Sequence, residues 1–99
     1  MNLPAHYRSH TVSLHGRVSD LSCDGLFLRS EFLDGAGTQV DLDLELPGTE
    51  QPIRLRGKVV RTDASPTTCG MGIRFSELHP PARLQLANYM LLRTSRATQ

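Results

Sequence analysis

From Gln39 to Leu46 the chain alternates without a break, with Val40, Leu42, Leu44 and Leu46 apolar and Gln39, Asp41, Asp43 and Glu45 polar. Successive side chains of a strand point to opposite faces, so the pattern predicts a strand with one buried and one wet face. Pro47-Gly48 interrupts it and Pro52 ends the interruption. The alternation then resumes from Ile53 to Val59, with Ile53, Leu55, Gly57 and Val59 inward and Arg54, Arg56 and Lys58 outward. The two segments read as a hairpin. Setting Leu46 against Ile53 pairs Glu45 with Arg54, Asp43 with Arg56 and Asp41 with Lys58, opposite charges at every rung. Such a ladder is a solvated sheet face, since exposed ion pairs contribute at most about 1 kcal/mol each.

Weaker versions of the pattern flank this hairpin. Val12 to Val18 alternates with Val12, Leu14, Gly16 and Val18 inward and Arg17 outward, and Leu26 to Arg29 is a short apolar run. Between them, Asp20-Leu-Ser-Cys-Asp-Gly25 is a turn by composition. Asp20 and Ser22 are each suited to accept an N–H from two residues on, and Gly25 tolerates positive φ. Met1 to Tyr7 contains Pro4 and reads as a short edge strand or a lead-in, with Ser9, His10 and Thr11 turning the chain back. Asp34-Gly-Ala-Gly37 and Asp63 to Thr68 read as loops. Cys69 to Phe75 is a last strand with Cys69, Met71, Ile73 and Phe75 on one face and Gly70 and Gly72 on the other, where the backbone is open to close approach. Short strands separated by frequent turns predict an all-β barrel or sandwich.

Pro80-Pro81 opens a helix, because proline is tolerated in the first turn, and the helix is expected to reach about Arg93. One of its faces carries Ala82, Leu86, Tyr89 and Met90 and another carries Leu84, Ala87 and Leu91. The barrel covers the first. The second is left as an interaction surface for a protein partner or another copy of the chain. Residues 1–94 form one domain and 95–99 a disordered tail.

Ninety-nine residues suffice for a single core. The net charge of +1 gives no footprint for general nucleic-acid binding, and two Tyr, three Phe and no Trp supply too few stacking residues for single strands. No leader-like or membrane-spanning segment is evident, so the expected location is cytoplasmic, with Cys23 and Cys69 as reduced thiols. No C-x-x-C and no H-x-x-x-H on a predicted helix supports a metal centre, and Ser22 and Cys23 have no orienting histidine to make either a nucleophile. No catalytic residue, metal or cofactor is expected.

The D-x-S-x-x-G spacing of Asp20, Ser22 and Gly25, the Arg54–Arg61 strand, Gly70-Met-Gly-Ile-Arg-Phe75 and the closing helix stand in the order and spacing of PilZ domains, which this chain resembles from about Leu14 to Arg93. The resemblance implies a six-stranded antiparallel β-barrel with one C-terminal helix, and a non-enzymatic bacterial signalling module that receives cyclic di-GMP. It makes Asp20, Ser22 and Gly25 the positions that read a guanine: a carboxylate accepts from N1–H and N2–H₂, a hydroxyl donates or accepts, and glycine lets the base lie against the backbone. Ligand-binding members also carry an R-x-x-x-R element before the first strand. Counted back from the turn, this sequence starts about where that element ends; Arg8 and Arg17 are the nearest substitutes, and His6 and His10 keep the spacing without the guanidinium fork. The expected site is therefore degenerate. Losing two charge-assisted contacts weakens binding by roughly two to four orders of magnitude, and the alternative is an adaptor that works by protein contact without the ligand.

Overall fold

The computed structural model describes residues 2–97, and the side chains of residues 2–91. Six strands and a helix follow in order: β1 (Leu3–Arg8), β2 (Ser13–Leu21), β3 (Gly25–Arg29), β4 (Gln39–Leu44), β5 (Ile53–Asp63), β6 (Gly70–Glu77) and α1 (Pro80–Ala97). All pairings are antiparallel and the sheet closes on itself in the order β1-β2-β3-β6-β5-β4. Closure removes the exposed edges that an open sheet of this size would have to protect. The inward residues form one core, built on Tyr7, Val18, Leu28, Leu42, Leu44, Leu55, Val59, Met71 and Ile73.

The lead-in segment is a full strand. Leu3, Ala5 and Tyr7 point inward as the pleat requires, and β1 is the closing strand between β2 and β4. Pro4 hides this in the sequence, but its carbonyl still accepts the Glu45 N–H at 3.1 Å.

The central hairpin keeps the expected faces and corrects the expected register. Leu44, not Leu46, stands opposite Ile53, so Asp43 faces Arg54, Asp41 faces Arg56 and Gln39 faces Lys58. The Leu46 carbonyl accepts both the Thr49 N–H (3.3 Å) and the Thr49 hydroxyl (2.8 Å), which bends the backbone into a turn and withdraws Leu46 from the ladder. A slip of two residues preserves the side-chain phase, so the core set is unaffected. Opposite charges survive at two rungs, Arg56–Asp41 at 3.2 Å and Arg54–Asp43 at 3.5 Å, while Glu45 loses its partner rung.

Helix α1 begins at Pro80, as the prolines predict, with the His79 carbonyl taking the Arg83 N–H at 3.0 Å. It continues to Ala97, so 95–97 of the expected tail are helical; Thr98 and Gln99 lie outside the described residues. Ala82 and Leu86 are buried and Tyr89 and Met90 pack on the core, whereas Leu84 and Leu91 are 62% and 65% exposed.

A polar cluster at the β1 end fixes how the β3–β4 connection lies on the barrel. Asp34 is only 6% exposed. Its carboxylate accepts the Tyr7 hydroxyl at 2.5 Å and the Ser9 and Thr11 hydroxyls at 2.7 Å each. Burial alone would raise its pKa, but those three donors hold it below the ordinary aspartate value. Burial, then the bond to Asp34, pushes the Tyr7 phenol well above its usual range, so Tyr7 is always the donor.

Candidate functional site

The Asp20–Gly25 turn joins β2 to β3 at the rim of an open groove on the barrel's outer surface. Ser22 makes the turn. Its hydroxyl accepts the Asp24 N–H (3.2 Å) and the Gly25 N–H (3.3 Å) and donates to the Gly25 carbonyl (3.2 Å), while its own N–H bonds that same carbonyl at 2.9 Å. One donor and two acceptor positions are all a hydroxyl has, so Ser22 is fully engaged within the turn.

Gly25 is not in the positive-φ region expected of it; only Gly37 and Gly48 are. Glycine is required there for a different reason. A Cβ at this position would lie 2.3 Å from the Ile73 carbonyl oxygen and 3.1 Å from the Arg74 Cα, both backbone atoms of β6. The absent side chain lets β3 and β6 pair at the mouth of the turn.

Asp20 behaves differently from both. It is exposed, pairs across the sheet with Phe27, and its carboxylate has no hydrogen-bond or ion-pair partner among the described residues. It does not cap the turn as local turn chemistry suggests, because β2 continues through Leu21. Ser19 is the extra residue of a bulge between Val18 and Asp20, which turns Asp20 outward while Val18 and Leu21 both stay buried. The turn thus leaves a carboxylate without a partner among the described residues at the edge of the groove.

The groove runs from the turn across β3 and β6 to β5 and has a volume of about 360 Å³, lined by Asp20, Ser22, Gly25, Phe27, Val60, Arg61 and Gly72 among others. An adjoining cavity of about 200 Å³ shares Asp20, Phe27 and Arg61 and adds Arg29 and Asp63. Thus the structure brings Asp20, Ser22 and Gly25 together and adds Phe27 and Arg61. Sequence periodicity shows Phe27 only as the outward member of a short strand, and Arg61 lies beyond the stretch of β5 that alternates cleanly. Their meeting depends on the β3-β6-β5 neighbour order, which no local signal carries.

The two other arginines expected to assist are placed elsewhere. Arg8 donates to Asp43 at 2.7 Å, across the β1–β4 pair, and lines a cavity with Asp41 and Arg56. Its hydrogen bond to Asp43 lowers the Asp43 pKa despite partial burial and raises that of Arg8. Arg17 pairs across the sheet with Arg29 and lines a separate cavity of about 530 Å³ with His15, Ser30 and Cys69. Neither borders the groove at the turn. Cys23 and Cys69 are free thiols, and no group of His, Cys, Asp and Glu among the described residues has metal-binding geometry. No helix among the described residues is long and apolar enough to cross a membrane.

The family model described as PilZ domain matches residues 1–92 of the chain. The inhibitor of motility MotI/DgrA of Bacillus subtilis superposes with a TM-score of 0.84 at 17% identity, over 100% of this chain and 50% of that one, so this chain spans half its length. The PilZ domain of CeSA from a cellulose-synthesizing bacterium gives 0.68 at 15% identity, with 94% of each chain covered. The PilZ domain of YcgR from Escherichia coli, solved with c-di-GMP, gives 0.68 at 16% identity over 98% of this chain and 86% of that one. No curated protein matches the sequence.

Proposed function

The chain belongs to the PilZ domain family, and from that premise we propose that it is a non-enzymatic, cytoplasmic signalling module that receives cyclic di-GMP weakly at the Asp20 groove and acts by contact with another protein. The observation that carries the reading is Asp20 itself, whose carboxylate lines the groove with no hydrogen-bond or ion-pair partner among the described residues. Ser22 and Gly25 contribute by holding that corner in shape, through the turn bonds and the close β3–β6 approach. Affinity is low because Arg8 is bound to Asp43 and Arg17 opens onto a different cavity, so neither supplies the phosphate clamp. The PilZ structure solved with c-di-GMP supports the ligand class.

Chemical-shift mapping tests the site. Cyclic di-GMP is expected to move the amide signals of residues 20–27 and of Gly72, and Asp20→Ala is expected to weaken binding about tenfold to a hundredfold, the loss of hydrogen bonds to a charged acceptor. Shifts confined to another face, or full binding by Asp20→Ala, would contradict the assignment.

Output through α1 is supported by the exposed Leu84 and Leu91, which with Ala87 make an apolar stripe facing away from the barrel. The double substitution Leu84→Glu, Leu91→Glu is expected to change stability by less than about 1 kcal/mol, as exposed positions do, while abolishing partner contact or self-association measured by sedimentation. Unfolding of the double mutant would show the stripe to be core.

A further inference from the structure

Four residues on the outer surface stand in one row across four strands: Asp20 is the cross-strand neighbour of Phe27, Phe27 of Gly72, and Gly72 of Arg61. The row is built around the glycine. A Cβ on Gly72 would lie 2.8 Å from Arg61 Cγ and 2.9 Å from Arg61 Nε, so the arginine side chain occupies the space that any other residue at 72 would fill. Crossing β6 in this way brings the Arg61 guanidinium carbon to 5.4 Å from the centre of the Phe27 ring, within cation–π range. Asp63 lines the adjoining cavity and attracts Arg61 electrostatically, but its carboxylate takes its hydrogen bonds from the Ser65 N–H at 2.9 Å and the Thr68 hydroxyl at 2.7 Å and none from Arg61. Arg61 itself makes no salt bridge or side-chain hydrogen bond among the described residues. The groove therefore presents an acceptor from β2 and a planar donor from β5 braced on the β3 aromatic ring, neither with a hydrogen-bond or salt-bridge partner among the described residues, and the half-exposed Val60 beside them.

We propose that Arg61, laid over Gly72 and braced by Phe27, is the stacking and phosphate-contacting residue of this groove, taking a guanine nucleotide whose base edge is read by Asp20. The inference rests on the reading of the groove as a nucleotide site and names the residue that supplies the cation there. A guanidinium plane stacks on a base while its N–H edge remains available for a phosphodiester, whereas an ammonium gives a point charge without the plane. The half-buried Phe27 limits the conformational freedom that Arg61 would otherwise lose on binding.

Cyclic di-GMP titrated into the full chain and into Arg61→Ala, Arg61→Lys, Gly72→Ala and Asp20→Ala tests this. Arg61→Ala is expected to weaken binding about tenfold to a hundredfold, in line with one charge-assisted contact. Arg61→Lys should recover only part of that loss. Gly72→Ala should weaken binding severalfold, because the added Cβ would lie 2.8 Å from Arg61 Cγ and displace the arginine stem, with a smaller fall in thermal midpoint than at Gly25, where the added Cβ meets backbone. If the unaltered chain binds and Asp20→Ala does not, while both Arg61 variants bind as the unaltered chain does, the platform is overturned and the nucleotide reading stands. If the unaltered chain does not bind at all, both are overturned.

Discussion

Asp34→Ala is expected to lower folding stability by about 3–4 kcal/mol, a large share of the 5–15 kcal/mol that domains of this kind possess. The loss arises at Tyr7, whose hydroxyl is fully buried inside the barrel and has Asp34 as its acceptor. Removing the carboxylate leaves that hydroxyl without a partner and frees the Ser9 and Thr11 hydroxyls, which together tie the β1–β2 turn to the β3–β4 connection. For a chain of this length the thermal midpoint should fall by about 15 °C or more.

The pH dependence of that difference has a definite sign. Asp34 has a lowered pKa in the folded state, so its contribution is complete above the ordinary aspartate range and disappears as pH falls through the folded value. Denaturant unfolding at pH 7 and near pH 2 should show the gap between the unaltered chain and Asp34→Ala narrowing in acid. A gap that stays constant would mean that the carboxylate's charge is not what Tyr7, Ser9 and Thr11 stabilise.

Gly25→Ala is expected to destabilise the barrel by about 3 kcal/mol, the upper end of the usual range for overpacking. The added methyl would meet the Ile73 carbonyl and the Arg74 Cα, and neither can move without opening the β3–β6 pair. The same corner is held by the Phe75 N–H bonded to the Asp24 carbonyl at 2.8 Å, so the disturbance spreads along β6. Gly72→Ala is the internal comparison, since its methyl would face only the Arg61 side chain. Thermal unfolding should place Gly25→Ala well below Gly72→Ala; equal midpoints for the two would contradict the packing assigned to Gly25. Ligand binding lost in Gly25→Ala then reports on the fold of the turn, unlike a loss in Asp20→Ala.

Periodicity made most of the barrel legible. The inward sets of β4 and β5 and the two faces of α1 follow from alternation and helical spacing, because burial on one side imposes those periods. The register of the central hairpin was not legible, since a slip of two residues keeps every side chain on its face and still opposes some charges, and the deciding contact is a Thr49 turn onto the Leu46 carbonyl. Asp34 gave no local sign of burial. It sits among glycines in a loop, and its partners are 23 to 27 residues away. At the site, the turn composition led to Asp20, Ser22 and Gly25 together, but only the three-dimensional contacts separate the free carboxylate from the hydroxyl that closes the turn and the glycine that admits a neighbouring strand. Arg61 and Phe27 are 34 residues apart in numbering and meet because β6 inserts between β3 and β5.

Isothermal titration of the full chain with cyclic di-GMP tests the central claim most directly. The Asp20 carboxylate, without a partner among the described residues, and the Arg61 side chain, with Arg29 of the adjoining cavity held by the Thr67 carbonyl at 2.7 Å, predict saturable binding with a Kd of tens to hundreds of micromolar, about 5–6 kcal/mol. Flat heats up to millimolar ligand would contradict the nucleotide assignment.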